Sequence, residues 1–392
     1  MKKLVSLVLV LFLSFGLLST AVAETITLKV WGSQEDQALL NVLIERFKET
    51  NPDEEWDISL GVVGERDARA RFLEDPAAAA DVFSFPNDQL MELVSADALY
   101  EVTRDRERIE AANSAGSVES ATLNDMLYAY PMSADNGYFL YYDKSVLSDE
   151  DVKTLDGILL KANEAGKKVF MDVSDGWYIA SFFLGAGCTL GLDENGKQTC
   201  DFNSERGVLA GEAIRDFCAN AAFLTGDDSI LQGGMGDTIC AGVSGTWNAE
   251  AMKERLGENY AAVKLPTFTL GGEQVQMGSF IGTKLLGVNT QSQFPVEAMT
   301  LADFLTNEAS QATRFEMRAI GPSNLAVAAS PEVQENIALA ALAAQSEFGT
   351  SQKLVLPEYW APAEAFGQEM ENKITADMQA MLDALVAQVT GQ

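Results

Sequence analysis

The chain contains 392 residues and carries a formal net charge of −31, with 47% hydrophobic residues and 0 histidines. This charge repels nucleic-acid phosphates and acidic membrane surfaces, so we expect no nucleic acid as a partner. The lack of histidine excludes Ser-His-Asp and Cys-His catalysis and histidine-bound metals. We expect neither a metal nor a cofactor, and an enzymatic site would depend on carboxylates.

Residues 1–23 are typical of a secretory signal peptide. Lys2 and Lys3 precede an apolar run from Leu4 to Leu18, and the small residues Ala21 and Ala23 follow it. We predict cleavage after Ala23 and an exported, soluble protein in the periplasm or another extracytoplasmic compartment. The length of the remaining chain is typical of two domains.

Strands and helices then alternate along the chain, which predicts the α/β class. Ile26, Leu28 and Val30 alternate with polar residues as in a strand, and an amphipathic helix follows and ends before Asn51-Pro52. A second strand begins at Trp56, and residues 79–102 again indicate a strand, a loop and a helix.

Residues 126–147 form a long aromatic segment that interrupts this alternation. Pro131 divides what would otherwise be one strand, and an extended segment of this kind can pass from one domain to another. Beyond it, residues 167–173 and 238–244 indicate strands, whereas residues 206–222 and 375–391 indicate helices. No flexible linker separates two autonomous halves.

The four cysteines allow three disulfide pairings. We favour a bond between Cys188 and Cys200, because the Asn-Gly pair at residues 195–196 predicts a β-hairpin turn between them. Cys218 and Cys240 either pair with each other or remain buried thiols, and the sequence leaves both alternatives open.

Most of the tryptophans are predicted at the ends of strands or just before a helix. In open α/β sheets, ligands bind outside the carboxyl ends of the strands. One further tryptophan opens a strand and is expected to be structural. The aromatic residues that we assign to a ligand site are Trp31, Phe85, Trp177, Trp247 and Trp360.

Carboxylates and amides accompany these aromatic residues. A flat apolar face beside oxygens that accept hydrogen bonds from hydroxyl groups suits a pyranose ring. We therefore predict a site for a neutral saccharide, and several stacking residues indicate an oligosaccharide. The polar residues assigned to the site are Glu35, Asp36, Asp88, Asp135, Asn136, Asp175 and Asn248.

Two alternatives stay open at this point. Aromatic rings with several acids could also cage a polyamine or another cationic solute through cation–π contacts. A secreted glycoside hydrolase would use paired carboxylates and aromatic platforms as well, but the sequence fixes no such pair at the required separation.

Six segments, at residues 27–36, 80–90, 127–147, 243–252, 263–268 and 357–360, carry a further signal. They read TLKVWGSQED, ADVFSFPNDQL, LYAYPMSADNGYFLYYDKSVL, VSGTWNAEAM, VKLPTF and PEYW. Together they resemble the bacterial extracellular solute-binding proteins of sugar uptake, of the maltose-binding-protein type.

The resemblance implies a two-lobed periplasmic-binding-protein fold of type II, in which each lobe is an α/β sheet flanked by helices and the ligand binds between the lobes. Residues 24–134 and 283–331 would form the first lobe, and residues 135–282 and 332–392 the second. Such proteins are not enzymes. They close on their ligand by hinge motion and deliver it to the membrane permease of an ABC transporter. We expect a monomer.

The resemblance also implies roles for individual residues. Gln89 stands where maltose-binding proteins have an arginine after the second-loop aspartate, which makes an identical ligand doubtful. Trp31, with Glu35 and Asp36 after it, matches a first contact loop of the family, and Phe85 with Asp88 matches a second. Asp135 matches the acidic contact at the first hinge, and Trp177 matches the aromatic residue of the second lobe. Trp247 and Trp360 match the principal stacking residues.

Overall fold

The structure is a computed structural model, and it describes residues 25–392. The predicted signal peptide, residues 1–23, lies outside the described residues. Within residues 25–392, no helix is long and apolar enough to cross a membrane.

The strands of this part of the chain are mostly short. They are β1 (Ile26–Gly32), β2 (Trp56–Val62), β3 (Val82–Pro86), β4 (Thr122–Leu123), β5 (Met126–Leu127), β6 (Tyr130–Gly137), β7 (Phe139–Asp143), β8 (Lys168–Phe170), β9 (Leu190–Leu192), β10 (Gln198–Cys200), β11 (Phe223–Leu224), β12 (Ile239–Ser244), β13 (Tyr260–Val263), β14 (Thr267–Leu270), β15 (Glu273–Gln276), β16 (Ser279–Val288) and β17 (Gly349–Ser351).

The helices alternate with these strands in the first part of the chain and dominate its end. They are α1 (Gln37–Thr50), α2 (Glu65–Glu74), α3 (Leu90–Ser95), α4 (Arg106–Ala112), α5 (Ala115–Ser120), α6 (Leu155–Ala165), α7 (Gly176–Gly185), α8 (Glu205–Ala219), α9 (Asp228–Gly234), α10 (Ala249–Leu256), α11 (Pro295–Thr306), α12 (Glu308–Arg318), α13 (Leu325–Ala328), α14 (Pro331–Gln334), α15 (Ile337–Ser346), α16 (Trp360–Glu371) and α17 (Met378–Thr390).

A first mixed sheet has six strands, in the order β17-β16-β3-β1-β2 with β6 paired to β16. Strands β1, β2 and β3 run parallel to one another, and β16 runs antiparallel to β3. The alternation at Ile26, Leu28 and Val30 buries these side chains against Leu43 and Phe47 of α1. We call this sheet and the helices packed on it the first lobe.

A second sheet has five strands, in the order β11-β8-β12-β7-β13. Its central strand β12 is buried along its whole length, because α7 and α8 cover one face and α9, α10 and α15 cover the other. We call this sheet with its helices the second lobe. The predicted α/β class and the two-lobed architecture are confirmed.

Extended chain connects the two lobes. Strand β6 ends at Gly137 in the first sheet, and β7 begins at Phe139 in the second, so that Tyr138 alone separates them. Strand β16 makes a second connection: Phe280 near its start packs in the core of the second lobe, whereas Leu285 packs in the core of the first.

The predicted hairpin is present, but the disulfide predicted between Cys188 and Cys200 is not. Strands β9 and β10 pair antiparallel with Leu190 opposite Cys200, so Cys188 lies two residues away from the position facing Cys200. The four cysteines are free thiols, and Cys188 lies 3.6 Å from the Ser204 hydroxyl instead. Cys218 and Cys240 are buried thiols, one of the two alternatives left open above.

Candidate ligand-binding cleft

A cavity of about 540 Å³ lies between the two lobes, a size typical of small-molecule sites. Its walls come from the residues that follow β1, β2 and β3 in the first lobe and from those that follow β8 and β12 in the second. These are the carboxyl ends of parallel strands, the place where α/β sheets bind ligands. The start of α16 closes one side.

Most of the predicted site residues lie in this cleft, and four do not. Trp31, Phe85, Asp135 and Asn248 are absent from its lining. The predicted residues that line it are Glu35, Asp36, Asp88, Asn136, Asp175, Trp177, Trp247 and Trp360.

Three half-buried tryptophans, Trp177, Trp247 and Trp360, form the aromatic part of the lining. The ring centroids of Trp177 and Trp247 are 5.9 Å apart, with their planes inclined by 37°. The indole N–H of Trp247 donates to Asp228 Oδ2 over 2.9 Å, and that of Trp177 donates to Gln352 Oε1 over 2.9 Å. These bonds fix the orientation of both rings, so their faces are pre-positioned for stacking.

Trp31 and Phe85, which were predicted to contact the ligand, lie outside the lining of the cleft. Strand β1 continues to Gly32, so Trp31 lies within the strand, where its ring packs against Gly61 and edge-on against Phe83 at 6.3 Å. Phe85 lies inside β3 and is fully buried in the core of the first lobe. In both cases the strand is longer than predicted.

Asp135 and Asn248 support the cleft from behind. The carboxylate of Asp135 accepts hydrogen bonds from Thr246 Oγ1 at 2.5 Å and from the backbone N–H of Gly321 at 2.7 Å. Asn248 is fully buried and donates to Asp228 Oδ1 at 2.7 Å, beside the indole of Trp247. Their carboxylate and amide groups are used within the protein.

Asp36 lines the cleft as part of an ion cluster. Its carboxylate lies 2.6 Å from Arg314 Nη1 and 3.3 Å from Arg318 Nε. Burial alone would raise the pKa of Asp36, but the charges of Arg314, Lys284 and Arg318 outweigh this effect and lower it. The carboxylate therefore stays ionised, and it holds the arginines of α12 against the loop after β1.

Asp88 behaves in the opposite way. Enclosure of its carboxylate raises the pKa to about 7, and a hydrogen bond that Gln352 donates over 2.7 Å opposes this rise only in part.

Gln89, at the position of the family's arginine, lines the cleft, but its side chain makes hydrogen bonds to the backbone of α2. It accepts from Arg69 N and donates to the carbonyls of Glu65 and Arg66.

The sequence analysis missed other lining residues as well, among them Arg66, Tyr178, Asp228, Lys284 and Gln352. Arg66 follows the carboxyl end of β2 and could have been found by the rule that found the others. Asp228 holds Trp247 from the first turn of α9, Tyr178 follows Trp177 in α7, and the other two come from elements with no local pattern of a binding site.

Gln352 connects three parts of the cleft. Its amide nitrogen donates to Asp88 of the first lobe, and its carbonyl oxygen accepts from Trp177 of the second lobe and from Asn136 of β6 at 3.1 Å. Gln352 is 2% exposed, so these groups are paired away from water.

The cleft and the two sheets define a solute-binding protein. Residues 43–341 match the sequence profile of the bacterial extracellular solute-binding proteins, and the chain belongs to this family. This family membership confirms the resemblance inferred from the sequence segments.

Individual relatives cover nearly the whole chain. The galactooligosaccharide-binding protein of Bacillus subtilis (strain 168) is 26% identical over 391 residues, which span 93% of this chain and 89% of that protein. A protein solved with acarbose is 31% identical, with a TM-score of 0.85 over 94% of this chain and 99% of that one. The maltodextrin-binding protein of L. casei BL23, solved without ligand, is 26% identical, with a TM-score of 0.78 over 93% and 99%.

Proposed function

We propose that this protein captures a neutral saccharide outside the cytoplasm and delivers it to the membrane permease of an ABC transporter. The observation that carries the proposal is the set of three tryptophans, Trp177, Trp247 and Trp360, in one cleft between two lobes. Aromatic faces beside carboxylates and amides offer both the apolar surface and the acceptors that a pyranose ring requires. Several such rings favour an oligosaccharide.

The relatives support this class of ligand. One of them is a galactooligosaccharide-binding protein, another was solved with acarbose, and a third is a maltodextrin-binding protein. All are similar to this chain over more than nine-tenths of its length. The family to which the chain belongs is extracellular, which agrees with export after cleavage of residues 1–23.

Binding is coupled to closure of the lobes in this proposal. In this proposal residues 24–134 and 283–331 belong to the first lobe and residues 135–282 and 332–392 to the second, except that β17 pairs in the sheet of the first lobe. A saccharide that contacts both walls stabilises the closed state by its greater affinity for that state. The closed monomer is then recognised by the permease.

No catalytic step is part of the proposal. Several of the carboxylates that line the cleft are held by protein groups: Asp36 pairs with two arginines, Asp88 accepts from Gln352, and Asp228 accepts from Trp247. We therefore assign them to structure and ligand orientation rather than to proton transfer. Hydrolysis of an oligosaccharide by the purified protein would contradict this assignment.

A cationic solute is the second candidate, because acidic residues outnumber basic ones in the lining. The acidic residues are Glu35, Asp36, Glu65, Asp67, Asp88, Asp175, Asp228 and Glu364, and the basic residues are Arg66, Arg69, Lys284 and Arg318. A polyamine could use this excess together with the tryptophan faces.

Thermal unfolding of the chain from Glu24 onward, with a panel of neutral saccharides and with spermidine, tests the two candidates. A ligand at one hundred times its dissociation constant adds about 2.7 kcal/mol to the free energy of unfolding, which raises Tm measurably. We expect a shift with one class of oligosaccharide. A shift with spermidine alone would contradict the proposal.

A further inference from the structure

Lys284 lies in β16 and lines the cleft. Its backbone is fixed in β16 between Pro86 of β3 and Ser133 of β6. Its side chain is half-buried and lines the cavity, and Nζ lies 5.4 Å from the centroid of the Trp247 ring. The ammonium group therefore lies over the ring of a tryptophan that we assign to stacking.

The surroundings keep this amine charged. Enclosure opposes protonation, but the negative charges of Glu65, Asp135 and Asp36 outweigh it and raise the pKa of Lys284 above its ordinary value. Among residues 25–392, Nζ has neither a hydrogen-bonded acceptor nor an ion-paired carboxylate in direct contact. An ammonium group carries three N–H donors, and the side chain of Lys284 lines the cavity, where an oxygen of a ligand can accept from them.

We infer that Lys284 determines the specificity of the cleft: its ammonium group donates to a hydroxyl oxygen of a saccharide stacked on Trp247, and it excludes cationic ligands from that ring. The inference rests on the proposed function and narrows its ligand to an uncharged sugar. A resident cation beside the indole repels a second cation from the position that a polyamine would need.

The same surroundings argue against an anionic sugar. Three carboxylates, those of Glu65, Asp135 and Asp36, already compensate the charge of Lys284 from longer range. A carboxylate on the ligand would meet this negative field, whereas a neutral hydroxyl oxygen accepts a hydrogen bond without adding charge.

The test is calorimetric titration of the chain from Glu24 onward and of the variant Lys284→Met with maltotriose, galactotriose and spermidine. Methionine keeps an unbranched apolar side chain and removes the charge and the donors. We expect saccharide binding to weaken about tenfold or more, and spermidine to bind the variant more tightly than the parent protein. Lys264→Met is the matched control, because the ammonium of Lys264 lies 4.4 Å from the Phe348 ring and outside the cleft lining.

A second variant, Lys284→Arg, keeps the positive charge among the three carboxylates and guards against a folding defect of the methionine variant. We expect it to exclude spermidine as the parent protein does, because exclusion depends on the charge. Circular dichroism of each variant confirms that it is folded.

The outcomes separate the inference from the proposed function. Saccharide binding by the parent protein that persists unchanged in Lys284→Met overturns the inference and leaves the proposed function intact. The inference is supported if the parent protein and Lys284→Arg bind spermidine with equal affinity and Lys284→Met binds it more tightly. If the parent protein binds neither maltotriose nor galactotriose, the inference is overturned, and the result also counts against the proposed function itself.

Discussion

Arg66 of the first lobe and Asp175 of the second lobe form an ion pair across the mouth of the cleft, with Nη1 and Oδ2 separated by 2.9 Å. Arg66 lies in the first turn of α2, and Asp175 caps the N-terminus of α7 by accepting from the backbone N–H of Trp177 at 2.8 Å. The pair therefore joins the opposite walls directly beside Trp177.

We expect Arg66→Ala to favour the open arrangement of the lobes in the unliganded protein. The Arg66 side chain is 71% exposed, so the pair contributes at most about 1 kcal/mol, and added salt should reproduce part of the effect. Small-angle scattering should show a larger radius of gyration than that of the parent protein. Arg71→Ala, which removes an ion pair within the same helix, is the control. An unchanged radius would show that the pair does not hold the lobes together.

Asp88→Asn should stabilise the protein at pH 8 and leave its stability near pH 4 unchanged. The folded-state pKa of about 7 lies above the reference value of 3.8, so the folded protein binds more protons than the unfolded chain between these values. The free energy of unfolding of the parent protein therefore falls as pH rises through this window. Asparagine keeps an oxygen that accepts the hydrogen bond from Gln352, and its side-chain amide does not ionise.

The expected gain for Asp88→Asn at pH 8 is about 1–3 kcal/mol, measured by urea denaturation across the pH range. The matched control is Asp53→Asn at an exposed position, for which the free energy of unfolding should vary with pH as it does in the parent protein. A difference between Asp88→Asn and the parent that stays constant from pH 4 to pH 8 would refute the assignment.

Gln352→Met should destabilise the protein and disturb Trp177. The substitution leaves the indole N–H of Trp177, the Asn136 amide and the Asp88 carboxylate without their common partner, at about 1–3 kcal/mol for each group that stays unpaired. Urea denaturation and tryptophan fluorescence report the two effects. Gln334→Met, at an exposed helix position, should change neither, and equal stabilities of the two variants would disprove the role of Gln352.

Gly245→Ala should weaken saccharide binding by displacing the ring of Trp247, although residue 247 itself is unchanged. A Cβ atom at residue 245 would lie 2.0 Å from Cζ3 of Trp247, so the ring has to leave its position. We expect a loss of affinity of about tenfold, close to that of removing the ring. Gly64→Ala, on the opposite wall with no atom within 4 Å of the new Cβ, serves as the control. Equal affinities of the two variants would contradict the position assigned to Trp247.

Local sequence patterns were sufficient for the residues at the ends of strands. Trp177, Trp247, Asp88 and Asp175 were found because a buried strand followed by a polar turn marks the edge of an α/β sheet. The same pattern predicted both sheets, since each strand carries its own hydrophobic signal.

Trp31 and Phe85, which lie outside the cleft lining, show the limit of that reasoning. Side chains alternate along a strand, so an error of one or two residues in its end moves a side chain from the cleft to the core. Strand β3 includes Phe85 and β1 includes Trp31, and both rings pack in the first lobe.

Gln352 and Lys284 could not be found from local patterns at all. Gln352 follows the edge strand β17, and Lys284 lies in the middle of β16, far along the chain from the loops they contact. Their role depends on partners brought together by the tertiary structure, such as Asp88 for Gln352 and Trp247 for Lys284. Sheet pairing, rather than sequence neighbours, determines these contacts.

The most direct measurement is calorimetric titration of the chain from Glu24 onward, and of Trp247→Ala, with a panel of neutral oligosaccharides. The account predicts saturable binding of one class of saccharide at one site per chain, weakened about tenfold or more by Trp247→Ala. Trp56→Phe, at a residue that packs on the first-lobe core away from the cleft, should leave the affinity unchanged. Equal affinities of Trp247→Ala and the parent protein, or no binding of any saccharide, would contradict it.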